Sequence, residues 1–226
     1  LPKVAYLRAP AAPQALFASE QMMDELAVAA GLDSVAFRKQ NIENFRWLAV
    51  LEEAARIAGW EARVSGSAVG KGRVRKGRGI AIGGFASTFV GIVAEIEVDT
   101  VTGKIRAKHV YAAHDCGLII NPNTVGQQVE GCVVQGVSRA LIEEVKFSKS
   151  RVTTLDWEAY PILRYKDAPE VTYSLLNRPE LRSSGAGEPA TAPVAAAIAN
   201  AFFDATGKRI RTMPMTPPRV RASLKA

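Results

Sequence analysis

The fold class is decided at residues 92–99, where the chain reads Ile-Val-Ala-Glu-Ile-Glu-Val-Asp. This stretch alternates with a period of two, which is typical of a β-strand with one apolar and one polar face. The apolar face would hold Ile92, Ala94, Ile96 and Val98, and the polar face Glu95, Glu97 and Asp99. Residues 100–103 predict a turn and residues 105–113 alternate again, so we expect an antiparallel hairpin. A neighbouring strand is predicted over residues 79–87.

The sequence before this hairpin is predicted to be helical. Apolar residues recur at helical spacing over residues 15–30, and Gly31 is the expected stop. A second helix is expected to start after Asp33 or Ser34, and a third to run over residues 47–58. The first third of the chain is therefore expected to contribute helices rather than strands.

A long helix is predicted downstream from Asn121-Pro122, because residues 125–141 carry a continuous apolar stripe. A second stripe on this helix holds Gln128, Gly131 and Gln135 at positions i, i+3 and i+7. Two amides beside a residue without a side chain predict a surface that a ligand can approach closely. A polar helix surface, with glycines that serve helix packing, explains the stripe equally well.

The last predicted helix covers residues 193–205, with Thr191 as its cap and Gly207 as its stop. A loop of small residues, 182–191, leads into it and carries Glu188. Glycines in the loop permit a close ligand approach, and a nearby helix N-terminus favours an ionised Glu188 carboxylate that can accept a proton. The alternative is that Glu188 only charges and caps the helix start, and these residues alone favour it.

Together these segments predict an α+β fold, with helices packed on a mixed or antiparallel sheet, rather than a doubly wound sheet. We divide the chain into a helical portion, residues 1–62, a basic loop, residues 63–79, and an α+β portion, residues 80–226. A hydrophobic content of 48% and a charged content of 23% are typical of a folded globular protein. No run approaches the roughly 20 apolar residues of a membrane span, so we predict none.

The net charge of +7 arises from 29 Lys and Arg residues against 22 Asp and Glu residues. Part of it lies in the basic run 71–78, which could contact nucleic acid or an acidic partner. Its glycine spacing and its lack of aromatic residues favour a solvated connecting loop. We therefore predict no nucleic-acid partner.

Cysteine and histidine usage predicts no metal site made by the protein itself. Cys116 and Cys132 form no C-x-x-C pair and are too few for an iron–sulfur cluster, which needs four ligands. His109 and His114 lie in a strand region without a spacing that completes a metal site. The chain starts at Leu1 without an initiator Met or a signal peptide, so we expect it to be part of a longer protein.

Four motifs in a fixed order resemble the molybdopterin-binding large subunits of the xanthine dehydrogenase and aldehyde oxidase family. The first is Tyr6-Leu7-Arg8-Ala9-Pro10 with the following residues 13–17, which is similar to the arginine loop of the family. The second is Asp115-Cys116-Gly117 with 121–122, 126–131 and 135–136, which is similar to the segment around the pterin. The third is residues 157–164, and the fourth is Gly187-Glu188-Pro189 with 205–211, which is similar to the family's ending. The nearest resemblance is to the isoquinoline 1-oxidoreductase β subunit and the membrane-bound aldehyde dehydrogenase large subunit. Several motifs in order are far more specific than any one alone.

The resemblance implies roles for particular residues. Residues 1–226 would form the C-terminal part of the cofactor-binding region, Glu188 would be the catalytic base, and Arg8 would face the substrate. The cofactor would be molybdopterin with molybdenum, with the cytosine dinucleotide as one possible form. Its binding residues would be Ala9, Pro10, Gln128, Gly131, Gln135, Gly136 and Gly187.

The implied function is that of part of the catalytic subunit of a molybdenum hydroxylase, which oxidises an aldehyde or an N-heterocycle with water as the oxygen source. The implied partners are the N-terminal remainder of the large subunit, a small 2Fe-2S subunit, a cytochrome c subunit and a small-molecule substrate. A periplasmic or membrane-peripheral location is implied, with the cytoplasm as the alternative. A different hypothesis is an inactive structural or interaction module, supported by alanine at positions 11 and 12 where the family has a glycine.

Overall fold

In the computed structural model, which describes residues 5–225, a four-stranded sheet with the order β1-β2-β3-β4 lies at the centre of the described chain. The strands are β1 Val74–Phe85, β2 Thr88–Asp99, β3 Ile105–Asp115 and β4 Glu170–Leu175. β1, β2 and β3 run antiparallel, whereas β4 pairs with β3 in parallel. The predicted hairpin and the predicted mixed sheet are both confirmed, but β4 was not predicted.

The helices of the described chain are α1 Ala12–Ala29, α2 Ser34–Asn41, α3 Phe45–Ile57, α4 Pro122–Leu141, α5 Val194–Thr206 and α6 Pro217–Lys225. Two short 3-10 turns add Tyr165–Asp167 and Pro189–Thr191. The α+β fold class is confirmed. None of the helices within residues 5–225 has both the length and the apolar character of a membrane span.

Helices cover both faces of the sheet. The predicted apolar face of β2 is 0–2% exposed and packs in one core with α4 and α5. The opposite face holds Ile80, Val93 and Ala113, which pack with Val50 and Leu51 of α3 in a second core. Val93 of β2 therefore lies in a second core, whereas the acidic residues farther along the same face of β2 remain only half-buried.

α5 lies against β1 without intervening side chains. Its residues are buried almost all round, which an alanine-rich helix permits. A Cβ added at Gly77 or Gly79 would come within 2.2 Å of the backbone of Ala201. Both glycines are therefore required for the close contact that holds α5 against the sheet.

Three predictions about element boundaries were wrong. The basic loop does not extend to residue 79, because β1 begins at Val74. Two cations of the run have partners: Arg73 pairs with Asp99, and Arg78 stacks on Trp60. The helix over Val194–Thr206 is followed by α6. Thr191 does not cap that helix, because it belongs to the 3-10 turn.

The apolar residues that recur at helical spacing in α1 do not all lie in the core. Phe17 and Ala27 are buried, but Leu26 is 47% exposed. The same buried face carries Glu20 and Asp24, whose charges are compensated by arginines from α2 and from the segment after α5. Buried ion pairs of this kind cannot be foreseen from hydrophobic periodicity, because each partner on its own has the properties of a surface residue.

Candidate functional site

Arg8 lies where three distant segments of the chain meet. Its Nε donates to the carbonyl oxygen of Gly187 at 2.5 Å, and its Nη2 donates to Oε1 of Gln128 at 2.7 Å. A longer hydrogen bond of 3.4 Å joins its Nη1 to Oε1 of Gln135. All three acceptors are neutral, so no carboxylate among these contacts balances the guanidinium, and it can interact with a further polar or anionic group.

Glycines keep the space around Arg8 open. A Cβ on Gly131 would lie 3.6 Å from Nη1 of Arg8, and one on Gly187 would lie 3.7 Å from Oε1 of Gln128. The structure therefore gathers five of the residues singled out in the sequence. We call this set the Arg8 slot: Arg8, Gln128, Gly131, Gln135 and Gly187.

The chain around Arg8 is held in an unusual backbone conformation. Ala9 and Ala11 both have left-handed backbones, with φ of 59° and 62°. This conformation costs a residue with a Cβ roughly 1–2 kcal/mol, and it persists only where the surroundings impose it. Ala9 is 1% exposed, and Arg139 of α4 donates to the carbonyl of Arg8 at 2.9 Å. Alanine at position 11 thus adopts the conformation for which glycine is normally used.

Glu188 follows directly after the Gly187 carbonyl that binds Arg8. It is half-buried and precedes the 3-10 turn Pro189–Thr191, but its side chain makes no capping hydrogen bond. The capping part of the alternative interpretation therefore has no hydrogen bond to support it, whereas the charge that Glu188 brings to the start of the turn remains. Glu188 is joined to the Arg8 slot through its backbone, because the preceding residue, Gly187, binds Arg8.

Gly136 has a different environment from Gly131. A Cβ on Gly136 would come within 2.8 Å of the Cβ of Val194, so this glycine allows α4 and α5 to pack closely. Gly136 also lines a cavity of about 220 Å³ behind the Arg8 loop, together with Ala9 and Pro10. Eight of the nine predicted site residues thus fall into two adjoining groups: the Arg8 slot and this cavity. The ninth, Glu188, borders the slot.

Several buried polar groups near the site were not predicted. Asp115 is fully buried and forms salt bridges with Arg46 at 2.5 Å and Arg178 at 3.2 Å. Burial alone would raise the pKa of Asp115, but hydrogen bonds from Arg46, the Gly117 amide and Arg178 outweigh it, so that the net shift is downward. Asp115 therefore stays ionised. In the sequence, Asp115 was singled out only as part of the motif Asp115-Cys116-Gly117, with no indication of its arginine partners.

His114 contrasts with its neighbour Asp115. Its ring is 0% exposed, and neither nitrogen has a hydrogen-bond partner in the described chain. Burial lowers the pKa of His114 to about 4, although Asp115 acts in the opposite direction. The imidazole is therefore neutral at neutral pH. No group of three or more His, Cys, Asp and Glu side chains within residues 5–225 is placed to bind a metal ion.

The motifs of the sequence resemble those of molybdopterin-binding subunits, and comparison with known families agrees with this resemblance. Residues 10–169 match the molybdopterin cofactor-binding domain family. The chain belongs to this family, and with it to the molybdenum-binding large subunits of the xanthine dehydrogenase family.

Individual relatives refine this picture. The chain is 37% identical over 99% of its length to a nicotinate dehydrogenase subunit of Pseudomonas putida, and 28% identical over 95% to the beta subunit of isoquinoline 1-oxidoreductase of Brevundimonas diminuta. It spans only 20% and 27% of the lengths of these two relatives. The fold is that of aldehyde oxidoreductase from Desulfovibrio gigas, with a TM-score of 0.80 at 17% identity over 98% of this chain and 42% of that chain.

The groups of the Arg8 slot fit the chemistry of a molybdopterin cofactor. Gly131 and Gly187 present backbone without side chains beside Arg8 and Gln128, and an added Cβ would make contact there at 3.6 and 3.7 Å. The groups around that space are two amides and a guanidinium without a carboxylate partner in the described chain. Amides and arginine are suitable partners for a pterin, which carries both donors and acceptors, and for its phosphate.

Proposed function

We propose that this chain supplies part of the catalytic site of a molybdenum hydroxylase, which oxidises an aldehyde or an N-heterocycle with water as the oxygen source. The observation that carries the proposal is the Arg8 slot, in which Arg8 joins α4 to the carbonyl just before Glu188. The names of the relatives support the substrate class: nicotinate and isoquinoline are N-heterocycles, and a third relative is an aldehyde oxidoreductase.

Gln128 and Gln135 would hold the cofactor with their amides, and Gly131 and Gly187 would let it approach the backbone. When bound, the molybdenum cofactor supplies the two-electron redox chemistry, which no side chain can provide. The phosphate of a cytosine dinucleotide form would need further cationic partners, which the rest of the large subunit would supply. Ala9, Pro10 and Gly136 would support the slot from behind.

Glu188 acts in this proposal as the general base. Its carboxylate is half-buried and free of a capping bond, so it can accept a proton from water during the reaction. Arg8 orients the substrate and stabilises negative charge that develops on it. Arg8 can do so because it donates only to neutral oxygens within the described chain.

In this proposal the electrons leave through redox groups that lie outside this chain. Cys116 and Cys132 are both buried, and two cysteines are too few for an iron–sulfur cluster. We propose that a small 2Fe-2S subunit accepts the electrons and passes them to a cytochrome c subunit. The N-terminal remainder of the large subunit would form the second wall of the cofactor site.

The test is Glu188→Gln in the complete enzyme. The amide keeps the shape but cannot accept the proton, so turnover should fall by about 10² to 10⁴ while the molybdenum content stays close to that of the wild type. Glu180→Gln is the matched control, because Glu180 is exposed in the same segment and should retain full turnover. Turnover of Glu188→Gln within a factor of about two of the wild type would refute the role of the base.

The alternative, an inactive module that keeps the family fold, relied on alanine in place of a glycine near position 11. Ala11 nevertheless adopts a left-handed conformation, and Arg8 still reaches both α4 and Gly187. These contacts favour the enzyme. A complete, cofactor-loaded enzyme without turnover on any aldehyde or N-heterocycle would favour the module.

A further inference from the structure

Asp115 ties the end of β3 to two other segments. Its carboxylate accepts hydrogen bonds from Arg46 of α3 at 2.5 and 3.1 Å, from Arg178 at 3.2 Å and from the Gly117 amide at 3.0 Å. Arg178 also donates its backbone amide to the Gly117 carbonyl at 3.1 Å. Residues 115–117 are thereby fixed to α3 and to the chain after β4.

Ser184 attaches the Glu188 loop to this fixed segment. The Ser184 amide and hydroxyl lie 2.8 and 3.0 Å from the carbonyl oxygen of Cys116. The hydroxyl also lies 3.2 Å from the Ser87 carbonyl, which Arg46 approaches at 3.4 Å from the other side. Thr88 completes the attachment, because its hydroxyl donates to the Gly185 carbonyl at 2.8 Å.

We infer that Asp115, acting through Arg46 and the Cys116 carbonyl on Ser184, positions the loop that carries Gly187 and Glu188. We call this network the Asp115 clamp: Asp115, Arg46, Arg178, Ser184 and Thr88. The inference rests on the proposed function for its catalytic consequence, but its structural part stands without it. Asp115 and Arg46 are positioning residues, since neither touches the Arg8 slot.

The clamp explains how a glycine-rich loop can hold a base in place. Residues 185 and 187 are glycines, which give the loop more conformational freedom than any other residue type would. The loop is attached at Ser184 on one side and at the buried turn Pro189–Thr191 on the other, with Arg8 holding Gly187 between them. A displacement of about 1 Å at a catalytic group can cost about 10²-fold in rate, so both attachments bear on turnover.

The structural part is tested by hydrogen–deuterium exchange on the intact protein without cofactor. In Asp115→Asn and Ser184→Ala, the amide of residue 184, which donates to the Cys116 carbonyl at 2.8 Å, should exchange about tenfold faster or more, because the loop opens more often. Asp204→Asn is the matched control: Asp204 is equally buried and binds Arg63 through both oxygens, but it lies at the far end of α5. Unchanged exchange at residue 184 in both clamp variants would overturn the clamp.

The catalytic part is tested on the loaded enzyme. Ser184→Ala should lower kcat by about tenfold or more with KM within about threefold, and Ser184→Thr, which keeps a hydroxyl, should restore most of it. Faster exchange with unchanged kcat would overturn the positioning role. Wild-type enzyme without turnover would instead defeat the proposed function and leave the exchange test of the clamp intact. Equal loss of kcat in the alanine and threonine variants would also count against the role of the hydroxyl.

Discussion

Two glycines of α4 allow a role in the Arg8 slot to be distinguished experimentally from a role in helix packing. Gly131 and Gly136 are five residues apart, which places them about 140° apart around the helix. A Cβ at Gly131 would meet only Nη1 of Arg8, at 3.6 Å, whereas a Cβ at Gly136 would meet the Val194 Cβ at 2.8 Å. The same substitution to alanine should therefore have opposite effects on the free energy of unfolding.

The magnitudes follow from two contributions. Alanine raises helix propensity over glycine by about 1 kcal/mol at both positions. At Gly136 the overlap with Val194 adds an overpacking cost of about 1–3 kcal/mol. We expect Gly131→Ala to be more stable than the wild type by about 0.5–1 kcal/mol and Gly136→Ala to be less stable by about 1 kcal/mol.

The assay is urea unfolding of the cofactor-free protein, followed by molybdenum analysis of the loaded enzyme. Gly131→Ala should lower the molybdenum content despite its added stability, because its methyl group enters the Arg8 slot. In the double variant Gly136→Ala/Val194→Ala, a favourable coupling of about 1 kcal/mol or more should appear as the overlap is relieved. Equal stability changes at the two glycines, or full molybdenum loading with Gly131→Ala, would refute the assignment of the two faces.

Three further predictions follow from individual residues. Ala11→Gly should stabilise the protein by about 0.5 kcal/mol, because relief of the left-handed strain exceeds the entropy that glycine adds to the unfolded chain. Ala15→Gly in α1 is the control and should be destabilising. A loss of stability with Ala11→Gly would contradict the prediction. The pKa of His114 is about 4 in the folded chain against 6.5 in the unfolded chain. The free energy of unfolding present above pH 6.5 should therefore fall by about 3 kcal/mol as the pH drops towards 4. In urea titrations, His114→Leu should flatten this dependence of stability on pH, and an unchanged dependence would contradict the burial of a neutral ring. Arg8→Ala should raise KM and lower kcat together. Arg8→Lys should recover only part of both, because lysine lacks the planar guanidinium fork of arginine. Unchanged steady-state kinetics in Arg8→Ala would reject a substrate-facing role.

The sheet and the long helices were predictable because their signals are periodic and local. The alternation in β2 and the stripe along α4 each follow from the spacing of side chains on a single element. β4 was missed because it is short and lies at the sheet edge, where its residues are half-buried or exposed and form no strictly alternating pattern. The burial of Val93 on the second face of β2 likewise depended on where α3 packs, which no local pattern encodes.

The composition of the site was predictable to the extent that its motifs resembled a family, but its contacts were not. Arg8 meets Gln128 and Gly187 across 120 and 179 residues of chain, and no period connects such positions. The Asp115 clamp was still harder to predict from the sequence, because no pattern links Asp115 with Arg46. Their role arises only where the fold brings the two side chains together. Charged residues in the interior are stable only when paired. An acidic residue at the buried end of a strand is therefore a reason to search for an arginine partner, and in this chain that arginine leads, through Ser184, to the loop of Glu188.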